Sequence, residues 1–257
     1  MLERVTTMLR LCDSDDRTIP PTDLFNEGWL LRCLLHWLAE NPRLSHPLAV
    51  PLGRRWYSEA LLATQFFRRP GRDDLWESHT HADGVVGDFT IGNTGEGDLR
   101  LDDTAEHFVV IEAKLASGLA ERVTNAPGYD QAARTVACMA HALSVVQRHP
   151  SKLKRLAFYL VAPASQIDRG LFCTQMSRSS IAEKVTQRVR AYKDAQKTAW
   201  LAKWFEPTLC AADIDTISWE HAIAEAVSEH SDVRAPFDRF YDRCLQYNGL
   251  KDQGQRA

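Results

Sequence analysis

The chain has 257 residues, 44% of them hydrophobic and 25% charged, with 31 basic against 34 acidic side chains. That balance is ordinary for a folded protein and excludes a collagen, a coiled coil or a disordered chain. A net charge of −3 excludes a globally basic protein that coats DNA, while a local basic patch could still hold a nucleic acid.

No run reaches the roughly 20 apolar residues that span a bilayer. Residues Met1 to Arg17 mix charges with short apolar runs and lack the apolar core of a signal peptide. Cys12, Cys33, Cys138, Cys173, Cys210 and Cys244 are far apart, with no C-x-x-C pair, as expected of reduced thiols scattered through a core. The expected location is cytoplasmic, without a membrane partner.

In chain order, Pro20-Pro21 ends an irregular leader, and Thr22 or Asp23 is placed to cap a helix over Leu24–Ala39. Its apolar residues recur at helical spacing until Asn41-Pro42 stops it. A second short helix is expected over Trp56–Phe66, closed by Arg68, Arg69, Pro70 and Gly71. His81 to Gly92 is β-branched and glycine-punctuated, which predicts one or two strands with a bend, and Asn93–Gly97 reads as a turn. Phe108–Ala113 (FVVIEA) and Leu156–Ala162 (LAFYLVA) are continuous apolar runs of strand length, the mark of strands buried on both faces. Between them a helix is expected over Tyr129–Gln147, started by Asn125-Ala-Pro127. A basic helical region follows over Ser180–Phe205, then a strand over Ile214–Trp219, a helix capped by Ser218, and a last helix through Pro236–Tyr247. This order predicts an α/β fold in a single domain spanning 1–257: a short mixed β-sheet flanked by helices, with a mostly helical region over 163–257.

The chemistry concentrates at Glu112-Ala113-Lys114. Side chains at i and i+2 on a strand share a face, so a carboxylate and an ammonium emerge side by side from an apolar strand. Such a pair costs several kcal/mol unless it is paired or ligates something. Upstream, Ala82-Asp83-Gly84-Val85-Val86 sets a carboxylate on another strand, with a hairpin-like turn between the two. The strands should therefore be adjacent and antiparallel, and Asp83, Glu112 and Lys114 would form a hard-oxygen site suited to Mg²⁺ or Mn²⁺.

In these residues the chain resembles the PD-(D/E)XK nuclease superfamily, the restriction-endonuclease-like enzymes. Its members carry an aspartate on one central strand and an E-x-K on the next, often with a glutamate on a preceding helix and a glutamine on the helix that follows. The resemblance covers residues 23–162, with Asp83, Glu112 and Lys114 in the central positions, Gln131 on the following helix and Glu27 on the first. Ala82 stands where the motif name has proline. The resemblance implies a restriction-endonuclease-like core, a metal-dependent nuclease acting on DNA, and Mg²⁺ (or Mn²⁺) held by Asp83, Glu112 and Glu27. It leaves open a homodimer, and a non-catalytic nucleic-acid-binding or adaptor protein on the same fold.

Two positions compete with these assignments. Asp88 also precedes a strand-like run, on the face opposite Asp83 unless Gly87 forms a bulge. Glu59 shares with Glu27 the oddity of an acid on an apolar helical face. A different site, His79, His81 and Asp88 around zinc or manganese, defines a third class of hydrolase. Cys33 and His36 share a helix but lack a readable third partner for a thiol nucleophile. Trp200, Trp204 and Tyr192 read as core rather than as base-stacking platforms. Charge supports the nuclease reading: residues 73–112 hold eleven acids and one base, and residues 148–203 hold twelve bases and three acids. An acidic metal pocket beside a phosphate-tracking surface would have this look.

Overall fold

The computed structural model describes residues 1–67, 75–120, 126, 128–228 and 230–250. The elements run α1 (Leu2–Leu11), α2 (Glu27–Glu40), β1 (Arg55–Leu62), β2 (Thr80–Gly87), β3 (Phe89–Ile91), β4 (Leu99–Leu101), β5 (His107–Ala113), α3 (Gln131–Val145) and β6 (Arg155–Ala162). Two short helices follow, α4 (Ala164–Asp168) and α5 (Cys173–Met176), then α6 (Arg178–Tyr192), α7 (Ala195–Trp200), a π-helical turn over Leu201–Phe205 and α8 (Glu206–Ala211). The chain ends in β7 (Asp213–Ser218), α9 (Trp219–Ala226) and α10 (Ser231–Tyr247). Among the described residues no helix is long and apolar enough to cross a membrane, and all six cysteines are free.

Five strands form one mixed sheet in the order β1-β2-β5-β6-β7, antiparallel on the β1 side and parallel from β5 onward. The region from residue 163 is more than an appendage, because β7 completes the sheet and α9 and α10 help to cover it. One face packs against α3, α6 and the segment through α8, the other against α2, α9 and α10. In β5, Phe108 and Val110 enter the first of these cores, while Val109, Ile111 and Ala113 enter the second. Both faces of the strand are thus buried, which explains an apolar run without alternation.

Local chemistry sets the helix starts. Pro21–Asp23 forms only a 3₁₀ turn, and Asn26, rather than Thr22 or Asp23, caps α2 by accepting from Trp29 N at 3.0 Å. Leu30, Leu31, Leu34, Leu35 and Leu38 then give α2 its buried stripe, and Asn41 ends it. Asp130 caps α3 by accepting from Ala133 N at 3.0 Å; the expected starters Asn125 and Pro127 lie outside the described residues, as does the Arg68–Gly71 stop.

The main departure from expectation is β1. Residues 55–62 read as a helix because Glu59-Ala-Leu-Leu favours one, yet they pair with β2 along their length. Tertiary pairing has overridden propensity, as it commonly does for short segments. The usual alternation was hidden because it reverses within the strand. Trp56 packs on the α2 side and Tyr57 on the α3 side, but Ala60 and Leu62 both lie on the α3 side. At the reversal Glu59 has φ +58°, a left-handed conformation uncommon for a non-glycine residue. Strand β2 reverses at the same level: Val85 and Ala82 both face α3, while Val86 faces α2.

Gly87 ends β2 with φ +149°, and a Cβ there would sit 2.1 Å from the His107 carbonyl oxygen. Only glycine fits, and the chain bends there into the β3–β4 hairpin, as the glycine-punctuated sequence suggested. Gly87→Ala is expected to destabilise the protein by about 2–4 kcal/mol, combining backbone strain with steric overlap. Chemical denaturation checks this; a loss within about 0.5 kcal/mol, the ordinary surface value, would contradict the assigned turn.

Candidate active site

The main-chain ladder between β2 and β5 runs from Gly87↔Phe108 to Gly84↔Ile111 and stops. The next residue of β2 is Asp83, and its carboxylate takes over the ladder's role: Oδ2 accepts from the Ala113 N–H at 2.7 Å. This fixes the carboxylate at the carboxyl end of β5, beside Glu112 and Lys114.

Glu112 follows the parity of Phe108 and Val110 and is 1% exposed. Its Oε1 accepts from Lys114 Nζ at 2.6 Å and from Gln131 Nε2. Its Oε2 is buried with no hydrogen-bond partner among the described residues. Lys114 Nζ also lies 4.0 Å from Asp83 Oδ2, so one ammonium bridges both carboxylates. Burial pushes the Glu112 carboxyl up from 4.5 to about 8, and the neighbouring charge of Asp83 adds to the effect, against the opposing pull of Lys114. Burial alone would lower Lys114, but Glu112, then Asp83 and Glu27, outweigh it and raise it. Lys114 is therefore held as the ammonium.

Gln131 opens α3 and is anchored to the loop before it: its backbone N–H donates to Ala120 O at 3.0 Å and its Oε1 accepts from Ala120 N at 3.3 Å. Asp130, 1% exposed, caps the same helix and pairs with Lys184 of α6. That pair holds the α3 start against α6, a support between residues 54 positions apart that no local pattern reveals. Glu27, in the first turn of α2, makes no hydrogen bond or ion pair among the described residues, yet its charge helps to raise Lys114.

The competing candidates go elsewhere. Asp88 lies past the Gly87 bend and is structural: it accepts from Glu106 N and His107 N at 2.8 and 2.9 Å and pairs with Arg54 at 2.9 Å. Glu59, on a strand instead of a helix, pairs with Arg32 at 3.4 Å and His81 at 3.8 Å. His79 packs edge-on against Phe67, ring centroids 4.7 Å apart, and among the described residues His79, His81 and Asp88 are not gathered into a group that could hold zinc. Cys33 is pushed up by burial and His36 pairs with Glu40, so neither makes a nucleophile pair. Trp200, Trp204 and Tyr192 are buried core, as expected.

The charge pattern is more internal than the sequence suggested. Arg148, Arg155 and Arg178 donate to the carbonyls of Ala105, Pro47 and Leu209, and Lys197 to that of Gln65. Arg188 lies over the rings of Phe66, Tyr129 and Tyr192. Lys152, Lys154, Arg169, Arg190, Lys193 and Lys203 stay exposed, so the basic surface is about half of the basic stretch. Among the acids, Glu77 is buried against Thr64 and Arg134, and Glu106 pairs with Lys154; Asp73 and Asp74 lie outside the described residues.

Among the described residues no group of three or more His, Cys, Asp or Glu side chains is gathered closely enough to enclose a metal ion. The candidate donor set is smaller: the partly exposed Asp83 and the buried, unpartnered Oε2 of Glu112, with Glu27 as an outlying acid. Mg²⁺ is commonly held by one or two carboxylates and completed by water and substrate phosphate, so this set fits such an ion better than an all-protein cage. No protein-family model, curated protein or solved structure matches the chain.

Between pH 4.5 and 8 the folded protein keeps a proton on Glu112 that the unfolded chain has lost, so this group's contribution to stability falls as pH rises. Glu112→Gln removes the dependence. Relative to the variant, the native protein should lose about 1–3 kcal/mol between pH 5 and pH 8.5 in the absence of divalent ions. Parallel denaturation curves across that range would contradict the assignment.

Proposed function

We propose that the protein is a metal-dependent nuclease that hydrolyses phosphodiester bonds in DNA, on a restriction-endonuclease-like core. The observation that carries the reading is the meeting of Asp83, Glu112 and Lys114 from two adjacent strands, with an unpartnered oxygen on the most buried of them. The order of elements supports it too. A helix bearing Glu27, the Asp83 strand, the E-x-K strand and the Gln131 helix follow one another as the resemblance implies.

A divalent cation bound here would lower the pKa of a water and offset charge at the scissile phosphate. Asp83 and Glu112 would hold it, with Glu27 acting through water. Lys114 is an ammonium, with its pKa raised, so its role is electrostatic: it orients the attacking water and stabilises the negative charge that grows on the phosphate oxygens. It is poorly suited to take the water's proton. Gln131 holds the Glu112 carboxylate in place by engaging Oε1, which leaves the buried Oε2 without a donor. The exposed remainder of the basic stretch offers contacts for the sugar–phosphate backbone.

The test is cleavage of supercoiled plasmid with Mg²⁺ or Mn²⁺ and with chelator, beside a single-stranded RNA of matched length. Native protein should cut DNA only with the cation. Lys114→Met should lower the rate by about a hundredfold or more, the usual cost of one electrostatic group, while folding is retained. Mg²⁺ should raise the melting temperature more at pH 8 than at pH 6, because Glu112 must lose its proton to bind, and should have no such effect on Glu112→Gln. Full cleavage by Lys114→Met would refute the reading. Salt-sensitive DNA binding without any cleavage would instead identify a binding module on the same fold.

A further inference from the structure

The E-x-K segment is held from behind by β6 and by two side chains from the part of the chain outside the resemblance. Lys114 N–H donates to Val161 O at 2.8 Å, which extends the parallel ladder one residue past β5. Its carbonyl then accepts from the indole Nε1–H of Trp219 at 2.9 Å. The next carbonyl, of Leu115, accepts from Gln166 Nε2. Trp219 is wholly buried and Gln166 is 2% exposed, so water does not replace either donor. Trp219 is the first residue of α9, directly after β7, and Gln166 lies in α4, directly after β6. The two helices are themselves tied: Glu220 accepts from Ala164 N at 2.9 Å and from the Tyr241 hydroxyl of α10 at 2.8 Å.

From this geometry we infer that Trp219, with Gln166 beside it, is a positioning residue that sets the direction from which Lys114 enters the Asp83–Glu112 site. The inference rests on the proposed nuclease reading. At the end of a strand the backbone has lost one ladder partner, and here β2 has already left, so the peptide planes after Ala113 are free to rotate unless other donors hold them. A displacement of the Lys114 Cα–C bond, which the anchored carbonyl holds, moves the root of the whole side chain. Displacements of about 1 Å cost reactions of this kind up to about a hundredfold. The C-terminal helices therefore act on the chemistry through two hydrogen bonds, while touching no substrate.

Trp219→Phe keeps an aromatic ring but removes the indole N–H together with part of the buried ring volume. Trp37→Phe is the matched control, since Trp37 Nε1 donates to Ala226 O at 3.0 Å, an indole–carbonyl bond between α2 and α9 remote from Lys114. Trp219→Phe should lower kcat for Mg²⁺-dependent plasmid cleavage by about tenfold or more, with KM and half-saturating Mg²⁺ unchanged. Trp37→Phe should leave kcat unchanged, with a smaller loss of melting temperature than Trp219→Phe because Trp37 is only partly buried. Independently of activity, the side-chain NMR signal of Lys114, identified by its disappearance in Lys114→Met, should shift in Trp219→Phe and not in Trp37→Phe. Equal effects of the two variants, an effect of Trp219→Phe confined to KM or Mg²⁺, or an unmoved Lys114 signal would each overturn the inference. Failure of the native protein to cleave would strike the nuclease reading alone, and the NMR comparison would still decide the clamp.

Discussion

One hydrogen bond organises this molecule: the Asp83 carboxylate accepting the Ala113 N–H where the β2–β5 ladder ends. A strand end normally hands its unpaired donors to water. Here the donor is given to a carboxylate, and that carboxylate is thereby fixed next to a second one, the buried Glu112. The charge of Asp83 and desolvation both oppose ionisation of Glu112. Lys114 and Gln131 relieve only one oxygen of Glu112. The rest of the site follows from the need to satisfy the other.

The sheet makes this arrangement possible by changing character at β5. On one side β5 is antiparallel to β2, which departs early; on the other it is parallel to β6, which carries the ladder on to Lys114. Residues 112–114 therefore project from a fixed strand into a gap left by its other neighbour. The reversal of facing in β1 and β2 at Glu59 and Asp83 belongs to the same feature. It frees Asp83 from the ordinary up-and-down alternation, so its carboxylate reaches toward the β5 backbone. The cost is local: a left-handed backbone at Glu59, whose carboxylate is held by Arg32 and His81. Strain beside a candidate site is a pattern that functional sites often show.

The parts of this that were legible in the sequence share one property: a charge out of place against an apolar pattern. Glu112 and Lys114 at the end of FVVIEA and Glu27 among leucines stood out for that reason, Gln131 came only from the resemblance, and all four lie at or near the site. What was illegible depended on backbone angles or distant partners. The choice between Asp83 and Asp88 turns on the bend at Gly87, and β1 was masked by helix-forming residues that tertiary pairing overrode. The basic stretch looked like a binding surface because sequence shows cations but not the carbonyls that absorb them. Trp219 gave no signal at all, since an indole donating to a carbonyl about a hundred residues away has no local pattern.

The electrostatics also assign roles that residue types alone leave open. A lysine beside two carboxylates could be a base or a fixed cation, and under the proposed reading its pKa, raised in spite of burial, favours the cation. Glu112 is then the group poised near neutrality, pushed up to about 8. Below that pH a proton meets the demand of its buried carboxylate; above it, the demand falls to whatever positive charge can reach Oε2. Under the proposed reading a proton and a divalent cation are alternative occupants of the same electrostatic role. On that reading a buried acid that would be a defect in a purely structural core becomes a condition for binding a cation, and the deep burial of the carboxylate and the missing donor at its second oxygen have one common cause.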